Sequence, residues 1–288
     1  MMAWTGGEVL GENLLVLPRS QANKVLASQS AGKKTCFLLG LPKKMTLGGG
    51  GFPQPYQAAQ LHLHWGSGHT RPGSEHTVDG HRYAGEIHVV HYSSRFKSFQ
   101  EAASEPGGLA VLAAFLQVGM ETNEPYQHIL KHLSNIKEEG EDTAVAGFDV
   151  AKLLPYDLGR YFRYNGSLTT PPCYQTVNWT VFNQTVRLSQ EQISVLEETL
   201  QGDDEEPIQN NFRLLQGLYG RTVLSSFHTA GDSAPRSDLL WGDILAILFG
   251  FLFAVTTLAF VFYVHKHRAP ATKPAALYTP ASTDEHAL

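Results

Sequence analysis

The run Gln60-Leu61-His62-Leu63-His64-Trp65-Gly66, answered further on by Glu86-Ile87-His88-Val89-Val90-His91, decides how this chain is read. Histidine and apolar residues alternate with period two, and successive side chains of a strand point to opposite faces. His62 and His64 therefore emerge together, while Leu61, Leu63 and Trp65 face the other way. In the second run His88 and Val90 share a face with Glu86. Between the two lies Val78-Asp79-Gly80, a turn signal that folds the strands close together. A lone histidine in a strand is ordinarily structural. Two at i and i+2, with a third on a partner strand, can hold zinc in tetrahedral geometry and leave the fourth position to water. Gln60 precedes His62 by two residues and Glu86 precedes His88 by two, so each is placed to accept a bond from a ligand ring and fix its tautomer.

Three neutral ligands leave the full double charge of the ion acting on its water, whose pKa falls to about 7. Such a set favours attack on a small electrophile over peptide hydrolysis, whose His-Glu-x-x-His signature is absent. The one His-x-x-x-His pair, His128 and His132, flanks an apolar helix stripe of Tyr126, Ile129, Leu130 and Leu133 and reads as solvated and structural.

The runs Ala58-Ala59-Gln60-Leu61-His62-Leu63-His64-Trp65-Gly66, Gly73-Ser74-Glu75-His76-Thr77-Val78-Asp79-Gly80, Glu86-Ile87-His88 and Tyr164-Asn165-Gly166-Ser167-Leu168-Thr169-Thr170-Pro171-Pro172-Cys173 resemble the α-class carbonic anhydrases, most of all their single-span membrane types. The likeness covers residues 45–229, with the motifs in the family's order. It implies a mixed, predominantly β fold: a central twisted, mostly antiparallel sheet with peripheral helices. It implies zinc on His62, His64 and His88, and the reversible hydration of carbon dioxide to bicarbonate. Thr169 resembles the residue whose hydroxyl accepts from the zinc-bound hydroxide and donates to a buried carboxylate, here Glu75. An ionised carboxylate only accepts, so it draws the threonine proton to itself. The resemblance also makes Val90, Val111, Leu168 and Trp179, with Thr170, the wall of the substrate pocket, and gives Asn211 a backbone bond to the second zinc histidine.

The chain has 288 residues, 42% apolar and 17% charged, enough for one domain of about 200 residues with appendages. The net charge of −5 suggests no nucleic-acid partner. Ser189-Gln190-Glu191-Gln192 is a capping box that starts a helix. Residues 244–264 carry no charge and span roughly 30 Å as a helix, the thickness of a bilayer core. The basic His265-Lys266-His267-Arg268 follows. This order predicts a stalk over 230–243, one transmembrane helix, and a cytoplasmic tail over 265–288. The catalytic domain then lies outside the plasma membrane. The alternative is a tail anchor with a cytosolic domain, since 1–44 shows no signal-peptide pattern. Asn165-Gly166-Ser167 is a glycosylation acceptor expected in a loop near the site mouth. Asn178 and Asn183 head two more sequons, in a strand-like run.

Residues 1–44 do not resemble the family's opening segment, so the domain is expected to be incomplete on that side. The proton-shuttle histidine is unassigned, with His69 and His81 as spare loop histidines, and slow proton return is expected. Cys36 makes the cysteine count even, and pairing with Cys173 is left open. A homodimer is compatible with the chain. Two rival readings stand beside the enzyme: a catalytically silent binding module of the same fold, and a truncated product that does not fold.

Overall fold

The computed structural model describes residues 24–267 apart from 32–33, 69, 146, 148, 203–204 and 229–240, with backbone alone for the described residues of 24–36 and for 241–244. The chain divides into two units, one ending at Ser233 and the other beginning at Ala234.

In chain order the first unit has strands β1 (Lys24–Ala31), β2 (Lys34–Gly40), β3 (Thr46–Leu47), β4 (Tyr56–Trp65), β5 (Gly85–Ser93), β6 (Leu109–Gly119), β7 (Asp142–Val145), β8 (Tyr161–Gly166), β9 (Val177–Phe182), β10 (Val186–Ser189) and β11 (Leu224–Ser225). Helices α1 (Phe99–Ala103), α2 (Glu124–Leu130) and α3 (Gln190–Glu198) interrupt them. The strands form one sheet in the order β11-β8-β9-β6-β5-β4-β2-β1-β7, with β10 on β6 and β3 on β4. Every pairing is antiparallel except β6 with β9 and β6 with β10. The fold is thus the mostly antiparallel, predominantly β one that the sequence implies.

β1 and β2 lie ahead of the boundary expected at residue 45, yet they join this sheet: β2 pairs with β4 at Leu38–His62, Leu39–Leu61 and Gly40–Gln60, and β1 pairs with β2 and β7. The segment carries no motif residue, but Phe37, Leu39 and Leu41 alternate and are buried. Apolar alternation is enough to recruit a strand.

Two apolar cores cover the two faces of the sheet. Leu61, Leu63 and Trp65 of β4 join Ile87 and Val89 of β5 in the larger one. Val90, Val111 and Trp179 belong to the other. Each fully buried aliphatic side chain contributes about 1.5–3 kcal/mol. A one-residue slip of β4 would drive its histidines into that core and its leucines out, so burial fixes the register.

Asp79 (φ 51°) and Gly80 (φ 80°) both take the left-handed conformation, and Val78 and His81 exchange main-chain bonds of 3.2 and 2.9 Å. That is a two-residue hairpin of the primed type. It lies inside the connection between β4 and β5 and does not join them directly. The connection folds back tightly, because a Cβ on Gly73 would sit 2.0 Å from the Trp65 carbonyl carbon. At α3 the capping box forms as expected, Ser189 and Gln192 bonding each other's backbone.

The second unit is a helix, α4 (Trp241–His267), extending three residues beyond each end of the expected 244–264. Its stretch Leu245–His267 is long and apolar enough to cross a membrane. Residues 230–240 of the expected stalk and the tail from 268 lie outside the described residues.

Candidate metal centre

Antiparallel pairing places His62 directly opposite His88, and His64 opposite Glu86. His62 Nε2 and His64 Nε2 each lie 3.2 Å from His88 Nδ1. A tetrahedral ion with metal–nitrogen bonds of 2.0–2.1 Å needs nitrogens about 3.3 Å apart. Both spacings from His88 are near that value, and all three nitrogens lie within 4.8 Å of one another.

The outer nitrogens show how the cluster could hold a metal ion. His62 Nδ1 donates to Gln60 Oε1 at 2.8 Å. His64 Nδ1 donates to the Asn211 carbonyl at 2.8 Å, and His88 Nε2 donates to Glu86 Oε1 at 2.7 Å. Each outer partner is an acceptor, so each outer nitrogen carries the proton and each inner nitrogen presents a lone pair. Burial first, and then the mutual repulsion of the three rings, holds His62 well below the usual histidine range. Burial, with His88 adding repulsion against the pull of Glu75, also lowers His64. Three lone pairs converging in a dry site repel one another unless a cation lies between them. Uncharged, converging imidazoles suit zinc.

Asn211 does more than supply a carbonyl. Pairing with β2 ends at His62, and beyond it the Asn211 amide takes over the edge of β4. Its Oδ1 accepts from Trp65 N–H at 2.8 Å and its Nδ2 donates to Leu63 O at 3.2 Å. The two main-chain groups flanking His64 are thereby held by the residue that also orients its ring.

Glu86, fully buried, collects three donors: His76 N–H at 2.8 Å, His76 Nδ1 at 2.6 Å and His88 Nε2 at 2.7 Å. Burial alone would raise its pKa, but His76 and His88 outweigh that and hold it well below the carboxylate range. His76 in turn is raised, because Glu86 prevails over burial, and its Nε2 lies 2.6 Å from the Tyr164 hydroxyl. His76, Glu86 and His88 also come close enough to hold a metal, but hydrogen bonds already join them. His76 and Tyr164 have no role legible in the sequence, since only folding brings them to Glu86.

Glu75 accepts from Arg213 N–H at 2.7 Å, and its other oxygen lies 3.5 Å from His64 Nε2. Burial pushes the carboxyl up. The neighbouring His64 and His88 rings, the Thr169 hydroxyl and the Arg213 N–H bring it below its usual value. Thr169 lies in a loop pinned on either side, by Leu168 N–H to Tyr174 O at 3.0 Å and Cys173 N–H to Thr170 O at 2.9 Å. Leu168 packs against the second core, while Thr170 is half-exposed beside it. In that core Val111 pairs with both Val90 and Trp179, and the Trp179 ring centroid lies 4.8 Å from that of His88. The apolar wall borders the metal centre directly.

Three expectations shift. Asn165 is exposed, but it lies in β8 opposite Asn178 and not in a loop. Asn183, expected in a strand, sits exposed in the turn after β9. Both follow from β8 and β9 being strands that end at Gly166 and Phe182. Cys173 is a free thiol, so the pairing with Cys36 is not made. His128 is half-exposed on α2, beside His132, with ring centroids 6.2 Å apart. His81 stacks edgewise on Tyr83, and His69 lies outside the described residues.

Three histidines on adjacent antiparallel strands, each ring braced from behind and together able to hold one ion, are the class this site defines. The family model described as eukaryotic-type carbonic anhydrase matches residues 19–227, and the chain belongs to that family. It is 45% identical over 192 residues to carbonic anhydrase 6 of Bos taurus, covering 66% of this chain and 59% of that protein. Against carbonic anhydrase 6 of Homo sapiens it is 46% identical over 174 residues, 60% of this chain and 56% of that one. Against carbonic anhydrase 12 of Homo sapiens it is 38% identical over 261 residues, 86% of this chain and 73% of that one. The chain thus spans somewhat more than half the length of the carbonic anhydrase 6 relatives.

Proposed function

We propose that this chain catalyses the reversible, zinc-dependent hydration of carbon dioxide to bicarbonate and a proton at the plasma-membrane surface. The convergence of three imidazole lone pairs, 3.2 Å from His88 Nδ1 to each of the others, carries the reading. His62, His64 and His88 would hold the ion. Bound there, zinc would acidify a water in the fourth position to a pKa of about 7.

The chain's own residues do the rest. Glu75, ionised and acceptor-only, takes the Thr169 proton, which leaves the Thr169 oxygen to accept from the water and set its orientation. The Thr169 main-chain N–H serves as a donor on the substrate side. Val90, Val111, Leu168 and Trp179 offer an apolar wall suited to an uncharged substrate, and Thr170 lies at its edge. Gln60, Glu86 and Asn211 keep the rings in the ligating tautomer. The presence of all three histidines with the Glu75–Thr169 pair favours an enzyme over a silent binding module.

The helix α4 supports a single-pass anchor, with the basic residues after it favouring an outside domain. The test is zinc content and sulfonamide-sensitive hydration by the purified full-length chain. One zinc per chain and a rate abolished together with the metal in His64→Ala are expected, while His128→Ala keeps both. Stoichiometric zinc in His64→Ala would overturn the ligand assignment.

A further inference from the structure

The face of the sheet turned away from the histidines holds an arginine that has no counter-charge among the described residues. Arg163 on β8 is only 6% exposed. Thr180 lies opposite it on β9, Leu112 opposite Thr180 on β6, and Val89 opposite Leu112 on β5. Leu112 and Val89 belong to the larger core, so Arg163 and Thr180 lie on that side. Its Nη1 donates to Gly50 O at 2.9 Å. The Nε and Nη2 groups, although buried, have no hydrogen-bond partner among the described residues. Phe52 and Tyr161 flank the guanidinium, at 4.3 and 5.1 Å from its carbon to their ring centroids. Two more buried polar atoms on this face are unpartnered: Thr180 Oγ1 and the Tyr161 hydroxyl. No carboxylate among the described residues forms an ion pair with Arg163.

A guanidinium stays charged in proteins. Its two rings offset part of the burial cost, but an enclosed charge without a counter-ion remains unfavourable. Ordered water would satisfy the donors and leave the charge. The Nε–Nη2 edge, unpartnered among the described residues, is a two-pronged fork, the geometry that meets the paired oxygens of a carboxylate. Hydroxyl donors stand at Thr180, across the strand pair, and at Tyr161, two residues away on the same face.

We propose that Arg163, with Thr180 and Tyr161, forms a second ligand site, separate from the metal centre, for a small planar oxyanion of the carboxylate or bicarbonate kind. Burial depresses the arginine, and only Tyr161 and Tyr56 act against it. That agrees with a cation awaiting its anion.

The test is thermal unfolding of the full-length zinc-loaded chain in detergent. Sodium formate or bicarbonate replaces sodium chloride at constant ionic strength. The midpoint should rise, by about 4 °C at ten times Kd, and go on rising with the logarithm of anion concentration, and Arg163→Lys, which keeps the charge but loses the fork, should abolish the rise. Anion binding at the histidines affects both forms alike and cancels in the comparison. A rise with formate and bicarbonate alike assigns the site to planar oxyanions as a class, and a rise with bicarbonate alone assigns it to that ion. No rise in the unaltered chain, or an equal rise in Arg163→Lys, would overturn the proposal. Should that variant not fold, Thr180→Val is expected to weaken formate several-fold, and an unchanged affinity would be equally fatal.

Discussion

Replacing Glu86 by glutamine changes one atom and puts the bracing of the metal centre to a direct test. The carboxylate accepts from two ring nitrogens, at 2.6 and 2.7 Å, through Oε1 and from the His76 main-chain N–H, at 2.8 Å, through Oε2. Glutamine has a single acceptor oxygen. If that oxygen faces the rings, the new NH2 meets the His76 N–H, donor against donor, and the buried group is orphaned at about 1–3 kcal/mol. If the amide flips, both ring protons lose their acceptor instead. In the better arrangement the bond to His88 still changes from charge-assisted to neutral, roughly halving its strength. Loss of such a bracing partner weakens metal by roughly 10–100-fold, about 1.4–2.7 kcal/mol. Zinc affinity by chelator competition should fall within that range, and urea unfolding of the zinc-free protein should show the orphaned donor. Gln60→Ala removes one neutral, half-buried bond and should cost less. Zinc affinity within threefold of the unaltered chain, with unchanged apo stability, would refute the reasoning and show that packing alone orients His88.

Other consequences are open to measurement. If proton return limits turnover, imidazole-type buffers should raise the hydration rate with concentration, and a buffer-independent rate would show that a residue of the chain already relays the proton. Burial pushes the His91 ring down to about 4, with the Ala110 and Val89 carbonyls opposing weakly. Its folded pKa lies below the unfolded value, so its contribution is full above pH 6.5 and is lost as pH falls from 6.5 towards 4. This amounts to roughly 2 kcal/mol between pH 7 and 5. Urea unfolding of His91→Leu should show a correspondingly shallower pH slope, and parallel slopes would exclude the effect. Expressed in mammalian cells with the domain outside, the chain should lose gel mobility shifts on glycosidase treatment, with both Asn165→Gln and Asn183→Gln reducing them. No shift in a well-expressed chain would support the tail-anchored orientation.

Period-two alternation around His62, His64 and His88 was enough to place three histidines on one face and the core on the other, because strand geometry ties sequence parity to direction. Gln60 and Glu86 were legible for the same reason: each sits two residues from its histidine, on the same face. The capping box at Ser189 and the apolar span were local patterns too, decided by composition within a few residues.

What lay between distant segments was not legible in that way. Asn211 reaches His64 across 147 positions, and Glu75 meets the Arg213 N–H across 138. Family resemblance pointed to Asn211 and Glu75, but no pattern pointed to His76, to Tyr164 or to the unpaired Arg163. β1 and β2 were set apart because they carry no motif, yet the sheet took them in. Alternation states which way a side chain faces, and nothing about which strand will lie alongside. Pairing order, and therefore every contact between remote residues, was settled only when burial of the two faces selected one register for the whole sheet.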